Sequence, residues 1–102
     1  MKTLTISLIA YLFSLMLVAS VFAGDPFAGS NIYTQYCVSC HGGDGRGEVA
    51  GTPSFREGRL MSRSTSELTA TVKAGRNLMP AFDGMLDAQQ IDDVITYIRT
   101  FN

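Results

Sequence analysis

An all-α domain of about three main helices is what this chain predicts. Three observations carry that expectation: a proline-started segment with a stripe of small and aromatic residues, and two capping boxes that each open a run of apolar residues at helical spacing. No stretch alternates well enough to read as a strand. The chain has 102 residues, 46% of them apolar, with two Cys and one His. Of its 47 apolar residues, 17 lie in the first 23 positions, so the remaining 79 positions are only 38% apolar. The average therefore joins an apolar leader to a sequence of ordinary globular composition. Without Lys2, the chain carries seven basic and nine acidic residues, a formal charge of −2. Nucleic-acid binding loses its main electrostatic signature at that charge. A domain of about 79 residues is also near the size at which a core is marginal alone and a disulfide, metal or cofactor is recruited.

Lys2 precedes an uncharged run from Thr3 to Gly24 that closes on Val21-Phe22-Ala23. This reads as a secretory signal peptide over residues 1–23, cleaved after Ala23, with residues 24–102 as the exported domain. The run is nearly long enough to span a bilayer, so an uncleaved anchor is the rival reading. No Cys lies near the junction, which argues against a lipid-modified N-terminus.

The first helix of the domain starts with Asp25 as cap and Pro26 in the first turn, where a missing N–H costs nothing. It runs toward Cys40, and Gly29, Tyr33 and Cys37 fall on one stripe whose small first member lets another helix approach. Ser64 and Glu67 form a capping box ahead of Leu68 and Val72, and Gly75 stops that helix. Asp87 and Gln90 form another, followed by Ile91, Val94, Ile95 and Ile98 on one face that Tyr97 and Phe101 widen. Between the first two helices, Gly42 to Arg63 is a long connection with six glycines, one proline and scattered apolar residues. Loops of that length are unusual in a compact domain. Such a segment is either disordered or wrapped on a cofactor that supplies the apolar surface it lacks.

Both cysteines and the only histidine fall in Cys37-Val38-Ser39-Cys40-His41. C-x-x-C-H is the attachment sequence of c-type haem: two thiols a helical turn apart form thioethers to the vinyl groups, and the adjacent imidazole reaches the iron. A disulfide or thiol redox couple also suits an oxidising compartment, although a thioredoxin-like site expects a strand-helix pattern. Zinc needs a fourth ligand, and the chain offers neither a second Cys pair nor another His. With His41 on the iron, the soft candidates for the second axial position are Met61, Met79 and Met85. Met79 is preferred because Leu78-Met79-Pro80 follows the Gly75 stop, in an extended loop that Pro80 stiffens. Met61 ranks next, and core filling is the plain alternative for any of them.

In order and spacing these pieces resemble the class I monohaem cytochromes c, across residues 27–101. The resemblance is carried by Gly29, Tyr33 and Cys37-Val38-Ser39-Cys40-His41-Gly42, then by Gly75-Arg76-Asn77-Leu78-Met79-Pro80-Ala81-Phe82, and finally by Ile91 to Tyr97-Ile98. It implies a small cytochrome c fold wrapped around one covalently attached haem, with the first and last helices crossing at Gly29 and Tyr33 against Tyr97 and Ile98. It further implies that the Pro53 carbonyl accepts a hydrogen bond from the His41 imidazole N–H, and that Asn77 orients the Met79 sulfur. Arg56, Arg59 and Arg63 are candidates for neutralising haem propionates, with a solvated basic face as the alternative.

Two protein ligands on the iron leave no vacant site for substrate. The expected function is thus a periplasmic one-electron carrier rather than an enzyme. It is expected to be a monomer that docks transiently with respiratory or dehydrogenase partners, and to meet a membrane only if the leader stays attached. Two alternatives remain at this stage: the haem subunit of a larger oxidoreductase, and a haem enzyme or gas sensor with a displaceable Met79. No distal His supports the latter.

Overall fold

The computed structural model describes residues 2–16 and 24–101. Among these residues six helices follow in order: α1 (Lys2–Met16), α2 (Pro26–Tyr36), α3 (Val38–His41), α4 (Gly58–Met61), α5 (Thr65–Ala74) and α6 (Ala88–Ile98). The bridges Arg76–Met79 and Asp83–Leu86 are the only β-type pairings among the described residues. The apolar leader begins as α1, with Leu4, Ile6, Leu8, Ile9 and Tyr11 all exposed. No helix among the described residues is long and apolar enough to cross a membrane. The expected cleavage point after Ala23 lies outside the described residues.

The three main helices start where their caps put them. Asp25 accepts from the Phe27 N–H ahead of α2, and complete capping boxes open α5 at Ser64 and α6 at Asp87. Each cap satisfies N–H groups that the helix itself leaves unpaired. The first helix ends sooner than its stripe suggests. At Cys37 the backbone leaves regular helix (φ −118°), and the four-residue turn α3 starts afresh.

Helix α6 organises the core. Ile91 and Ile95 join Leu68, Phe82 and Leu86 in one buried cluster, while Val94 and Ile98 join Tyr33 and Phe55 in the other. Helix α2 crosses α6 at Gly29, where a Cβ would overlap the Asp93 carbonyl oxygen and lie 2.9 Å from Tyr97 Cβ. Next to that crossing, the Tyr33 ring meets the Tyr97 ring edge-on with centroids 5.3 Å apart.

The glycine-rich connection is an ordered wrap. Gly47 N–H donates to the His41 carbonyl and Glu48 N–H to the Cys40 carbonyl, both at 2.8 Å. Further on, Phe55 N–H donates to the Gly45 carbonyl at 2.8 Å. Helix α4 was not foreseen, because four residues carry no periodic signal. Its far end is tied down by Arg99, which donates to the carbonyls of Met61 at 2.7 Å and Arg63 at 3.0 Å.

Candidate functional site

The end of α2 and the turn α3 carry Cys37, Cys40 and His41. His41 N–H donates to the Cys37 carbonyl at 2.9 Å, and the Tyr33 hydroxyl donates to the Gly42 carbonyl at 2.6 Å, fixing the segment from both sides. Both thiols are free. Cys37 is half-buried and Cys40 exposed; burial, helped by the neighbouring Cys40, pushes the Cys37 thiol up to about 11.

His41 is buried, and its ring stacks on Phe55 with centroids 4.4 Å apart and planes 18° from parallel. Burial pushes the imidazole below its ordinary value, and the Pro53 carbonyl acts more weakly in the opposite sense. A neutral imidazole is the form that binds a metal. The Pro53 carbonyl thus stands beside the ring. However, Nδ1 is buried without a partner of hydrogen-bonding geometry.

Met79 comes from the opposite side of the sequence on a tight turn. Arg76 N–H donates to the Met79 carbonyl at 3.1 Å and Met79 N–H to the Arg76 carbonyl at 2.9 Å. Asn77 takes a left-handed φ of 54° within this turn, a conformation that Asn tolerates better than most residues. Its side chain is exposed. Gly75 admits the returning loop: at φ 71°, a Cβ there would lie 2.6 Å from the Met79 carbonyl oxygen and 2.8 Å from Ala81 N.

These pieces meet in one apolar cleft. Cys37, His41 and Met79 all line it, with walls from Phe55, Val72, Phe82 and Leu86 and a floor from Val94, Ile95 and Ile98 of α6. The other two candidate methionines do not line it: Met61 packs against both core clusters, and Met85 is exposed. Arg56, Arg59 and Arg63 are exposed and do not line the cleft; Arg56 Nε donates to the Asp44 carbonyl at 2.7 Å. A larger open depression, edged by Lys73, Asp83, Asp87 and Gln90, contains none of the motif residues.

The residues fit a haem. A flat apolar ring held by the protein needs apolar walls, an imidazole, a thioether and thiols, and the cleft is lined by the first three and by Cys37, while Cys40 is exposed and is not among the lining residues. Phe55 and Leu86 line the site and were missed by sequence reasoning; Phe55 matters more, since it stacks on His41. Its only signal was an isolated aromatic two positions after Pro53 in a segment otherwise poor in apolar residues.

Residues 24–98 match the family model described as cytochrome C oxidase, cbb3-type, subunit III. The chain is 35% identical over 103 residues to a cytochrome c6 of Gloeothece citriformis, covering 96% of this chain and 93% of the relative. It is 33% identical over 96 residues to a cytochrome c6 of Rippkaea orientalis, covering 91% and 86%. Among solved structures, cytochrome c6 from the diatom Phaeodactylum tricornutum superposes with a TM-score of 0.65 at 29% identity, covering 74% of this chain and 91% of that one. A second, the KustC0563 c-type cytochrome, matches the fold alone, with a TM-score of 0.66 at 23% identity. By its match over residues 24–98 and by these relatives, the chain belongs to the cytochrome c family: it is a small all-α class I c-type cytochrome with one covalently bound haem, an electron-transfer protein rather than an enzyme.

Proposed function

We propose that the chain is exported, loses residues 1–23 after Ala23, and works in the periplasm as a one-electron carrier. Cys37 and Cys40 would hold the haem by thioethers, with His41 and Met79 as its axial ligands. The observation that carries this assignment is that His41 and Met79 line the same apolar cleft as Cys37, whereas Met61 and Met85 do not. When bound, the haem supplies reversible one-electron exchange at its iron. The residues of this chain do the rest. Phe55 holds the imidazole plane by stacking, Pro53 presents a carbonyl beside it, and the Arg76–Met79 turn delivers the thioether. With both ligands on separately anchored segments, little needs to move between oxidation states. The apolar walls would exclude water from a bound haem, which favours its less charged, reduced form.

Partners are other redox proteins of respiratory or dehydrogenase systems, met by transient docking. The description of the family model, an oxidase subunit, favours a second reading in which the domain is the haem subunit of a larger oxidoreductase. The cytochrome c6 relatives, of which this chain spans 86% and 93% in two cases, favour the free carrier. Size measurement of the exported protein separates the two: a monomer of the domain's own mass supports the carrier, and a stoichiometric partner supports the subunit. For the ligands, the oxidised protein should have the weak far-red absorption band of a methionine-ferric bond, and Met79→Ala should abolish it. A band that survives Met79→Ala but disappears in Met61→Ala would move the axial ligand to Met61.

A further inference from the structure

Gly24, the first described residue after the leader, is pressed onto α6. A Cβ there would overlap the Thr96 hydroxyl and lie 2.7 Å from the Asp92 carbonyl oxygen. The next residue is held as closely: Asp25 N–H donates to Asp93 Oδ1 at 2.8 Å, the same oxygen that Gln89 Nε2 reaches at 2.8 Å. Asp93 is only 7% exposed, and among the described residues no cation pairs with it. A carboxylate withdrawn from water is costly unless hydrogen bonds and an opposite charge replace its hydration. Two neutral donors on one oxygen supply the first and not the second. The charged groups nearest in sequence on the packed elements are Asp25, Asp92 and Asp93 themselves, and α2 carries no charged residue. Residues 1–23 contain a single basic side chain, Lys2.

A cation becomes available if the leader is removed. Hydrolysis of the Ala23–Gly24 peptide bond leaves a carboxylate on Ala23 and an ammonium on Gly24, one residue from the N–H that already binds Asp93. We infer that the Gly24 α-ammonium is held by the Asp93 carboxylate, with the Asp92 carbonyl and the Thr96 hydroxyl as further acceptors. This is an intramolecular amine site that exists only in the processed chain. In the uncleaved chain the same nitrogen is a neutral amide, and Asp93 Oδ1 has only the Asp25 and Gln89 donors. The site also accounts for glycine at position 24, since a side chain there would push the nitrogen away from α6. The inference rests on the cleavage reading given above.

The test uses the holoprotein exported behind a leader whose removal leaves Gly24 first, with the start confirmed by intact mass. Its α-amino group, titrated by NMR, is expected to have a midpoint above the ordinary value of about 8. Asp93→Asn keeps an acceptor for Asp25 and Gln89 and should return that midpoint to the ordinary value. Inserting Ala-Ala ahead of Gly24 should lower the thermal midpoint, and Asp93→Asn should then cost less than it does in the Gly24-start chain. An α-amine with the ordinary midpoint, or strictly additive effects of insertion and Asp93→Asn, overturns the amine site. The intact mass of the naturally exported protein tests the cleavage reading separately, so either can fail while the other stands.

Discussion

Tyr33 ties three parts of the molecule together with one side chain. Its ring touches Tyr97 of α6 and Phe55 of the wrap, while its hydroxyl donates to the Gly42 carbonyl next to His41. Burial raises the phenol above its ordinary value, and Cys37, Tyr97 and Asp44 add to the shift. The folded state therefore prefers the neutral phenol. Its contribution to stability is complete below about pH 10, the ordinary tyrosine midpoint, and is lost as the pH rises beyond it. Thermal melts between neutral and strongly alkaline pH should fall on that upper limb, and Tyr33→Phe should flatten the fall. At neutral pH the same variant should be less stable by about 0.5–1.5 kcal/mol, because the buried Gly42 carbonyl loses its shorter donor and keeps only the Gly45 N–H at 3.3 Å. Parallel pH curves for the two proteins would rule out Tyr33 as the group responsible. The ring of Tyr33 was legible from its spacing to Gly29 and Cys37. Its hydroxyl bond was not, because a side chain's reach into a folded-back loop leaves no periodic trace in the sequence.

Among the elements, the helices that carry caps were the legible ones. Asp25-Pro26, Ser64 with Glu67, and Asp87 with Gln90 each satisfy backbone groups within a few residues, so local sequence suffices to place them. Elements fixed by distant partners were not legible: α4 is secured through Arg99 bonds across more than thirty positions, and Phe55 gains its place by stacking on His41. The Met79 turn lies between these extremes. Its glycine stop and proline are local signals, while the close packing of the returning loop on Gly75 appears only in three dimensions. The crossing of α2 on α6 gives the sharpest prediction at this scale. Gly29→Ala places a methyl group against the Asp93 carbonyl, which belongs to helical backbone and cannot rotate away. We expect a loss of about 1–3 kcal/mol, as for other overpacked cores. For a domain of this size each kcal/mol corresponds to roughly 4–8 °C in the thermal midpoint. An unchanged midpoint in Gly29→Ala would mean that the helices slide apart without cost.

Across the whole molecule, the site and the core are the same object. Helix α6 sends Ile91 and Ile95 into one cluster and Val94 and Ile98 into the other, and the cleft is lined by members of both. A group seated there would join the two clusters and fill space that side chains do not. Left empty, the cleft would face water with apolar walls and a buried imidazole nitrogen that has no partner. A domain of this size is small enough that such a loss decides whether it folds cooperatively. The double variant Cys37→Ser with Cys40→Ser, exported normally but unable to form thioethers, should therefore have less helix by circular dichroism than the holoprotein and a broad thermal transition. The loss should be greatest where the clusters meet. Amide exchange should thus be fast in the Met79 loop and the glycine-rich wrap, whose anchors converge on His41, and slower where α2 crosses α6. A sharp transition at the holoprotein's midpoint would mean that the two clusters hold together without the haem, and would reduce the cofactor to a passenger in a fold that side chains complete alone.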